Sequence, residues 1–212
     1  MTEEDVVAIL IADSARARIV DAVAALGLPE CWIAGGFVRN AVWDARFGKG
    51  KQTPINDVDV VYFKPLGSYG LEEAEVLRLV SAQEPNPVWE EEERMRTALE
   101  EAVPGYEFEV KNQARMHISV ARIEAHPPYA SLADAVSGWV ETATATGIRR
   151  RDDGAYEVLA PFGLDDLAAG IVRPTSEAYT ERAQTRAAEK GWYASWPEVR
   201  FEPYDALHTR RR

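Results

Sequence analysis

The stretch Cys31–Phe63, CWIAGGFVRNAVWDARFGKGKQTPINDVDVVYF, decides how this chain is read. A short apolar run, Cys31-Trp32-Ile33, stops at Gly35-Gly36. An amphipathic segment, Phe37 to Phe47, follows, then a polar loop from Gly48 to Asn56, and then Asp57-Val58-Asp59 running into Val60-Val61-Tyr62-Phe63. The order is strand, glycine turn, helix, loop, strand. A glycine turn that opens a helix presents bare backbone N–H groups at the positive end of the helix dipole, where a phosphate is favoured. Side chains alternate along a strand, so Asp57 and Asp59 point to one face. Aspartate is a poor strand former, and two of them alternating with valines need a chemical reason. Two hard carboxylates side by side suit Mg²⁺ (or Mn²⁺), which prefers oxygen ligands and keeps positions for water and substrate phosphates. A Gly-Gly pair alone is an ordinary turn; its meaning here comes from the aspartate pair that follows it.

Working outward, Arg39 sits about one turn into the helix, where it can reach a phosphate or pair with a carboxylate such as Asp44. Trp43 and Phe47 continue its face and read as core. Downstream, Tyr106–Lys111 alternates, with Phe108 and Val110 on one face and Glu107 and Glu109 on the other. This predicts a third strand beside the Asp57 strand. Asn112 then caps a helix, and its place after the strand puts Asn112, Gln113, Arg115 and His117 near the pocket. Asn and Gln side chains can read base edges or ribose hydroxyls. His117 reads as a histidine bonded to backbone rather than as a base.

The flanks supply helices. Thr2 with Glu3, Glu4 and Asp5 starts one; Asp13-Ser14 starts a second, which ends at Gly27. Leu71–Ala82 is a third, and the acid run Glu90–Glu93 opens a fourth, its charges read as a solvated face. After a helix at Ser131–Val136, the segment Glu141-Thr142-Ala143-Thr144-Ala145-Thr146 marks a strand or the bend before one. Asp152-Asp153-Gly154 is a hairpin signal. Asp165-Asp166-Leu167 forms a short helix closed by Gly170, with turn chemistry favoured for Asp165. Ser176 caps Glu177–Lys190, and Trp192, Trp196 and Tyr204 lie in a tail expected to pack back over the core.

Composition sets limits. The chain has 212 residues, 46% of them hydrophobic, and a formal net charge of −11. A body this acidic repels nucleic-acid phosphates unless a basic patch compensates, and basic residues cluster only at Arg149–Arg151 and Arg210–Arg212. Nucleic acid is therefore the less favoured partner. No apolar run is long enough to span a bilayer, so no membrane partner is expected. The acidic start and the single cysteine, Cys31, point to the cytoplasm.

Gly35-Gly36 with Arg39, followed by Asp57 and Asp59, resembles the polymerase-β-like nucleotidyltransferase superfamily. Gly-Gly-Phe-Val-Arg-Asn is similar to the Gly-Gly-x-Val-Arg-Asp of CCA-adding tRNA nucleotidyltransferases, with Asn40 where they have Asp. A closer resemblance is to a bacterial nucleotidyltransferase-like family of unassigned function, carried by Val110–His117, Glu141–Ala145 and Pro161–Leu167 in order. The resemblance implies an α/β (α+β) fold: a small mixed sheet flanked by helices, with a core over residues 1–123 and a smaller C-terminal α/β addition over 124–212. It implies metal-dependent transfer of a nucleoside monophosphate from a nucleoside triphosphate to a hydroxyl of a small molecule or protein, with release of pyrophosphate. It makes Glu109 the third carboxylate beside Asp57 and Asp59, as base and metal ligand, and Gly35, Gly36, Arg39, Asn40, Asn112, Gln113 and Arg115 the nucleotide contacts. The alternative is a degenerate relative that binds nucleotides or docks a partner without chemistry. A third reading, an RNA-end modifier, would need a basic stripe of Arg115, Arg122 and Arg149–Arg151.

Overall fold

The computed structural model describes residues 1–28, 30–118 and 126–209. The chain opens with α1 (Glu3–Ala12) and α2 (Ser14–Ala24). Thr2 and Asp5 form a reciprocal capping box on α1, and Asp13 ends α1 and caps α2 through the N–H groups of Ala15 and Arg16. Then come β1 (Cys31–Ala34), α3 (Gly36–Phe47) and β2 (Asp57–Tyr62), the order expected from the sequence. Two helices, α4 (Glu73–Ser81) and α5 (Pro87–Ala102), lead to β3 (Glu107–Asn112). The C-terminal part comprises α6 (Leu132–Ser137), β4 (Gly147–Arg150), β5 (Tyr156–Leu159), α7 (Asp165–Ala169), β6 (Ile171–Val172), α8 (Thr180–Glu189), α9 (Trp192–Ser195) and β7 (Arg200–Phe201).

Five strands form one mixed sheet in the order β3-β2-β1-β4-β5. β2 and β3 run parallel, joined by the α4–α5 crossover that a parallel pair requires; the other neighbours are antiparallel. Alternation along the strands splits the sheet cleanly. Ile33, Val58, Val60, Tyr62, Phe108 and Val110 face the main core, where they meet Val6, Leu10, Ile19, Val42, Trp43 and Leu99 from the helices. Trp32, Ala34 and Val61 face the other way, against Leu132, Val136, Ala145 and Phe162. Asp57, Asp59, Glu107 and Glu109 share this second face at its open end.

The residues after 123 do not stand apart. β4 pairs with β1 in the central sheet, and Leu167, Val172, Ala183, Ala187, Trp192 and Trp196 join the main core. Two of the three tail aromatics pack back on the core: Trp43 meets Trp192 and Trp196 edge-on, with ring centroids 5.7 and 5.2 Å apart. The boundary at residue 123 itself lies outside the described residues.

One expectation is narrowed and one changes. Of the two readings of the 141–146 segment, the second holds: it is a buried turn, closed by Thr144 and Ala145 N–H on the Glu141 carbonyl, and is the bend before β4. The acid run is not a uniform solvated face. Glu91 and Glu92 are buried, because the inner face of α5 meets polar partners. Glu91 accepts from Lys64 Nζ (2.7 Å), Tyr62 Oη (3.0 Å) and Tyr69 Oη (2.5 Å). Glu92 accepts from Asn112 N (2.7 Å) and from Arg115 at both oxygens (3.0 and 2.8 Å).

Candidate active site

β1 ends at Ala34, whose cross-strand partner is Asp59. Here the chain turns into α3 through Gly35 at φ 68°, ψ −129°, a conformation that glycine alone adopts freely. Space adds a second reason for glycine. A Cβ on Gly35 would lie 2.9 Å from Asp59 Oδ2 and 3.4 Å from Trp139 Cζ3. The aspartate carboxylate therefore rests directly against the turn. Gly35 N–H donates to Thr146 O at 3.0 Å, and no side chain caps α3. The N–H groups of Gly36, Phe37 and Val38 are those a helix cannot satisfy itself, which suits them to an anion.

The parallel register sets Asp57 beside Glu107 and Asp59 beside Glu109. Asp59 has its pKa pushed up from 3.8 to about 6, first by burial and then by the negative charges of Glu109 and Asp57, with Lys111 pulling the other way. Asp57 is exposed. Glu109 Oε1 accepts from Lys111 Nζ at 2.5 Å. Among the described residues, no group of three or more His, Cys, Asp or Glu side chains is arranged to hold a metal ion. The donor chemistry of Asp57 and Asp59 nevertheless suits a hard divalent cation: all oxygen, and crowded with like charge that a cation would relieve.

A cavity of about 180 Å³ joins these pieces, lined by Gly36, Arg39, Asn40, Asp57 and Asp59 and by Arg186, Lys190 and Trp192 from the C-terminal part. Arg186 and Lys190 lie four residues apart, on and just after α8, and bring positive charge to the mouth that holds the aspartates. Sequence reasoning missed both. Their spacing is a local signal only for a shared helix face; their place on the cavity that β2 also lines joins parts of the chain more than a hundred residues apart and leaves no trace in the pattern.

Arg39 is buried, at 5% exposure. It donates to Thr144 Oγ1 (3.0 Å) and Asn40 Oδ1 (2.8 Å), and its guanidinium stacks 4.0 Å from the Trp192 ring centroid. Burial lowers its pKa to about 10 against the opposing pull of Glu141, Asp59 and Asp57. Asp44, the carboxylate considered for it, is instead held by Thr53 and Trp196. Arg39 thus ties α3 to the Thr144 turn and the C-terminal aromatics.

The predicted nucleotide contacts after β3 divide. Gln113 stays on the site side, accepting from Trp139 Nε1 at 3.4 Å. Asn112 and Arg115 do not join Asp57 and Asp59. Asn112 is the strand neighbour of Tyr62, on the opposite face. Its side chain accepts from Lys64 N and Ala114 N and donates to Lys64 O and Tyr69 Oη, while Arg115 is committed to Glu92. His117 Nδ1 bonds Ala114 O at 3.0 Å. Thr142 donates to Asp166 Oδ2 at 2.8 Å. Asp165 opens α7 and is exposed.

The basic stripe does not form a free surface. Arg149 pairs with Glu157 and Glu30, Arg150 with Asp21, and Arg151 with Asp153 and Glu157. Arg122 and Arg210–Arg212 lie outside the described residues.

The fold and this constellation place the protein among nucleotidyltransferases. The chain belongs to that family: a family model described as "Nucleotidyltransferase" matches residues 21–201. It is similar to a solved structure described as "The NMR structure of the protein reveals a CCA-adding enzyme head domain", at 27% identity and TM-score 0.67, over 96% of this chain and 97% of that one. It is also similar to a "tRNA-processing enzyme (apo form 2)", at 17% identity and TM-score 0.48, over 87% of this chain and 44% of that longer one. No curated protein matches. The likeness to the polymerase-β-like superfamily read from Gly35-Gly36, Asp57 and Asp59 therefore holds. Among the described residues, no helix is long and apolar enough to cross a membrane.

Proposed function

We propose that the chain transfers a nucleoside monophosphate from a nucleoside triphosphate to a hydroxyl acceptor. The observation that carries this is the contact of Asp59 with the Gly35 turn, which puts a metal-type carboxylate and a phosphate-type helix terminus at one point. The triphosphate lies on the Gly35-Gly36 turn, its charge met by the start of α3 and by Arg186 and Lys190. Asp57 and Asp59 would hold Mg²⁺ or Mn²⁺, which stabilises charge on the phosphates when bound. The acceptor oxygen bonds to the α-phosphorus, the bond to the β-phosphate oxygen breaks, pyrophosphate leaves, and Glu109 takes the hydroxyl proton. Positioning and electrostatics supply most of the rate. The acceptor is a small molecule or a protein side chain: the paired state of Arg115 and Arg149–Arg151 supports neither RNA nor DNA as acceptor.

A second reading rests on the Glu109–Lys111 pair. A glutamate held by a lysine at 2.5 Å suits a protein that binds nucleotides without turning them over. Label transfer from each α-³²P-nucleoside triphosphate into a cell extract, with Mg²⁺ or Mn²⁺, separates the two. Label entering protein or a small molecule with the wild type and not with Asp59→Asn supports the enzyme. Nucleotide binding with no transfer supports the second reading and overturns the first.

A further inference from the structure

Four cationic side chains line the Asp57–Asp59 cavity: Arg16, Arg39, Arg186 and Lys190. Two of them are committed within the fold. Arg16 donates to Phe37 O at 2.6 Å, and Arg39 donates to Thr144 Oγ1 and Asn40 Oδ1. Arg186 differs. Among the described residues its one ion-pair partner is Glu141, with Nε 3.3 Å from Oε1, and no hydrogen bond engages either Nη group. Nε itself is buried. The guanidinium is thus gripped at its root by charge, with its outer N–H groups uncommitted.

Glu141 is a costly residue to place there. At 1% exposure its carboxylate is out of water, and burial raises its pKa while Arg186, then Arg39 and Thr144, pull it down. A buried carboxylate is tolerated where charges and hydrogen bonds around it offset the cost. For Arg39, burial is the largest influence; next come Glu141, which supports the guanidinium, and Arg186, which opposes it. Two arginines therefore repel each other across this wall, and one carboxylate serves both. Glu141 lines a second cavity, of about 240 Å³, and not the aspartate cavity; Arg186 lines both. Any effect of Glu141 on the aspartate cavity passes through the arginines.

We propose that Glu141 is a positioning residue for the triphosphate: it fixes Arg186 on the wall of the Asp57–Asp59 cavity and leaves the Nη groups for phosphate oxygens. An arginine already held in place loses less rotamer freedom when it binds, which tightens binding. The inference rests on the nucleotidyltransferase reading for the position of the triphosphate.

The test is a double-mutant cycle on the full chain. Inorganic tripolyphosphate with Mg²⁺ is titrated by calorimetry into the wild type, Glu141→Gln, Arg186→Gln and the double variant. Arg186→Gln should weaken binding about tenfold or more, as loss of a charge-assisted hydrogen bond does. Glu141→Gln should weaken it about fivefold, and the double variant should bind no more weakly than Arg186→Gln, because residues that act through one another are not additive. A residue that only supports the fold would multiply the two losses. Unchanged binding in Glu141→Gln, or losses that multiply in the double variant, overturns the proposal, as does a wild type that does not bind tripolyphosphate. If Glu141→Gln gives no folded protein by circular dichroism, Glu141→Asp, which keeps the charge and withdraws it by a methylene, takes its place in the cycle with the same deciding outcomes. Coupled losses without label transfer from nucleoside triphosphates would keep the proposal and remove the transferase reading. Label transfer with multiplying losses would do the reverse.

Discussion

Two pairs of carboxylates flank the same β2–β3 ladder, and they are treated in opposite ways. Glu91 and Glu92 are buried with donors at every side: two tyrosine hydroxyls, a lysine, a backbone N–H and a bidentate arginine. The bonds from Lys64, Tyr69 and Tyr62 hold the Glu91 carboxyl below its ordinary pKa despite the opposing effect of burial. Around Asp59, burial and the charges of Glu109 and Asp57 outweigh the opposing pull of Lys111, and its pKa is pushed up to about 6. The first pair stabilises the fold. Asp59 costs stability in the bare protein when ionised, a cost that the cation proposed for this site would relieve. Burial alone does not separate structural from functional acids; the sign of the surrounding charge does.

The contrast can be broken by mutation. The largest effect expected is on transfer: Asp59→Asn should lower the rate by about a thousandfold or more, as loss of electrostatic stabilisation at a transition state does, in the label-transfer assay. Next, Gly35→Ala forces a Cβ into Asp59 Oδ2 at a left-handed φ; unfolding in urea should show a loss of about 1–3 kcal/mol, and transfer should fall with it. Glu92→Ala removes the partner of Arg115 and of the Asn112 N–H, and should cost about 3 kcal/mol while a folded preparation keeps its nucleotide affinity.

Asp59→Asn should have the opposite effect on stability from Glu92→Ala. With its folded pKa near 6 against an ordinary 3.8, Asp59 favours the folded state when protonated, and that contribution is lost as pH rises through about 6. In EDTA the Asn variant should therefore unfold in urea with a free energy higher than the wild type's at pH 8, by up to about 3 kcal/mol, and the gap should largely close near pH 4. A gap that widens on acidification would show that the aspartate is stabilised, as Glu91 is. The smallest effect concerns Cys31: burial raises its thiol to about 12, so iodoacetamide should label it only after unfolding.

Much of this was legible in the sequence, for a physical reason. The turn, the aspartate pair and the third strand are local patterns: glycine where φ is positive, charge at period two, apolar alternation at Phe108 and Val110. The register that sets Glu109 beside Asp59 follows from those patterns once β2 and β3 pair. What escaped was long-range. Asn112 looked like a site residue because it follows β3 directly, but strand alternation carries its side chain to the far face. Glu91 and Glu92 looked solvated because no local rule reports that Tyr62, Tyr69 and Arg115 wait beneath α5. Arg186 and Lys190 reach the site only because α8 and the residue after it fold back over it.

If Asp57 and Asp59 with the Gly35 turn form one metal-and-triphosphate site, as proposed, metal and nucleotide must bind together. The most direct test is Mn²⁺ uptake followed by electron paramagnetic resonance, with and without nucleoside triphosphate, for the wild type and Asp59→Asn. The wild type should take up Mn²⁺ more tightly when nucleotide is present, and the Asn variant should lose both the uptake and the coupling. Equal Mn²⁺ uptake by the two proteins would contradict the proposal.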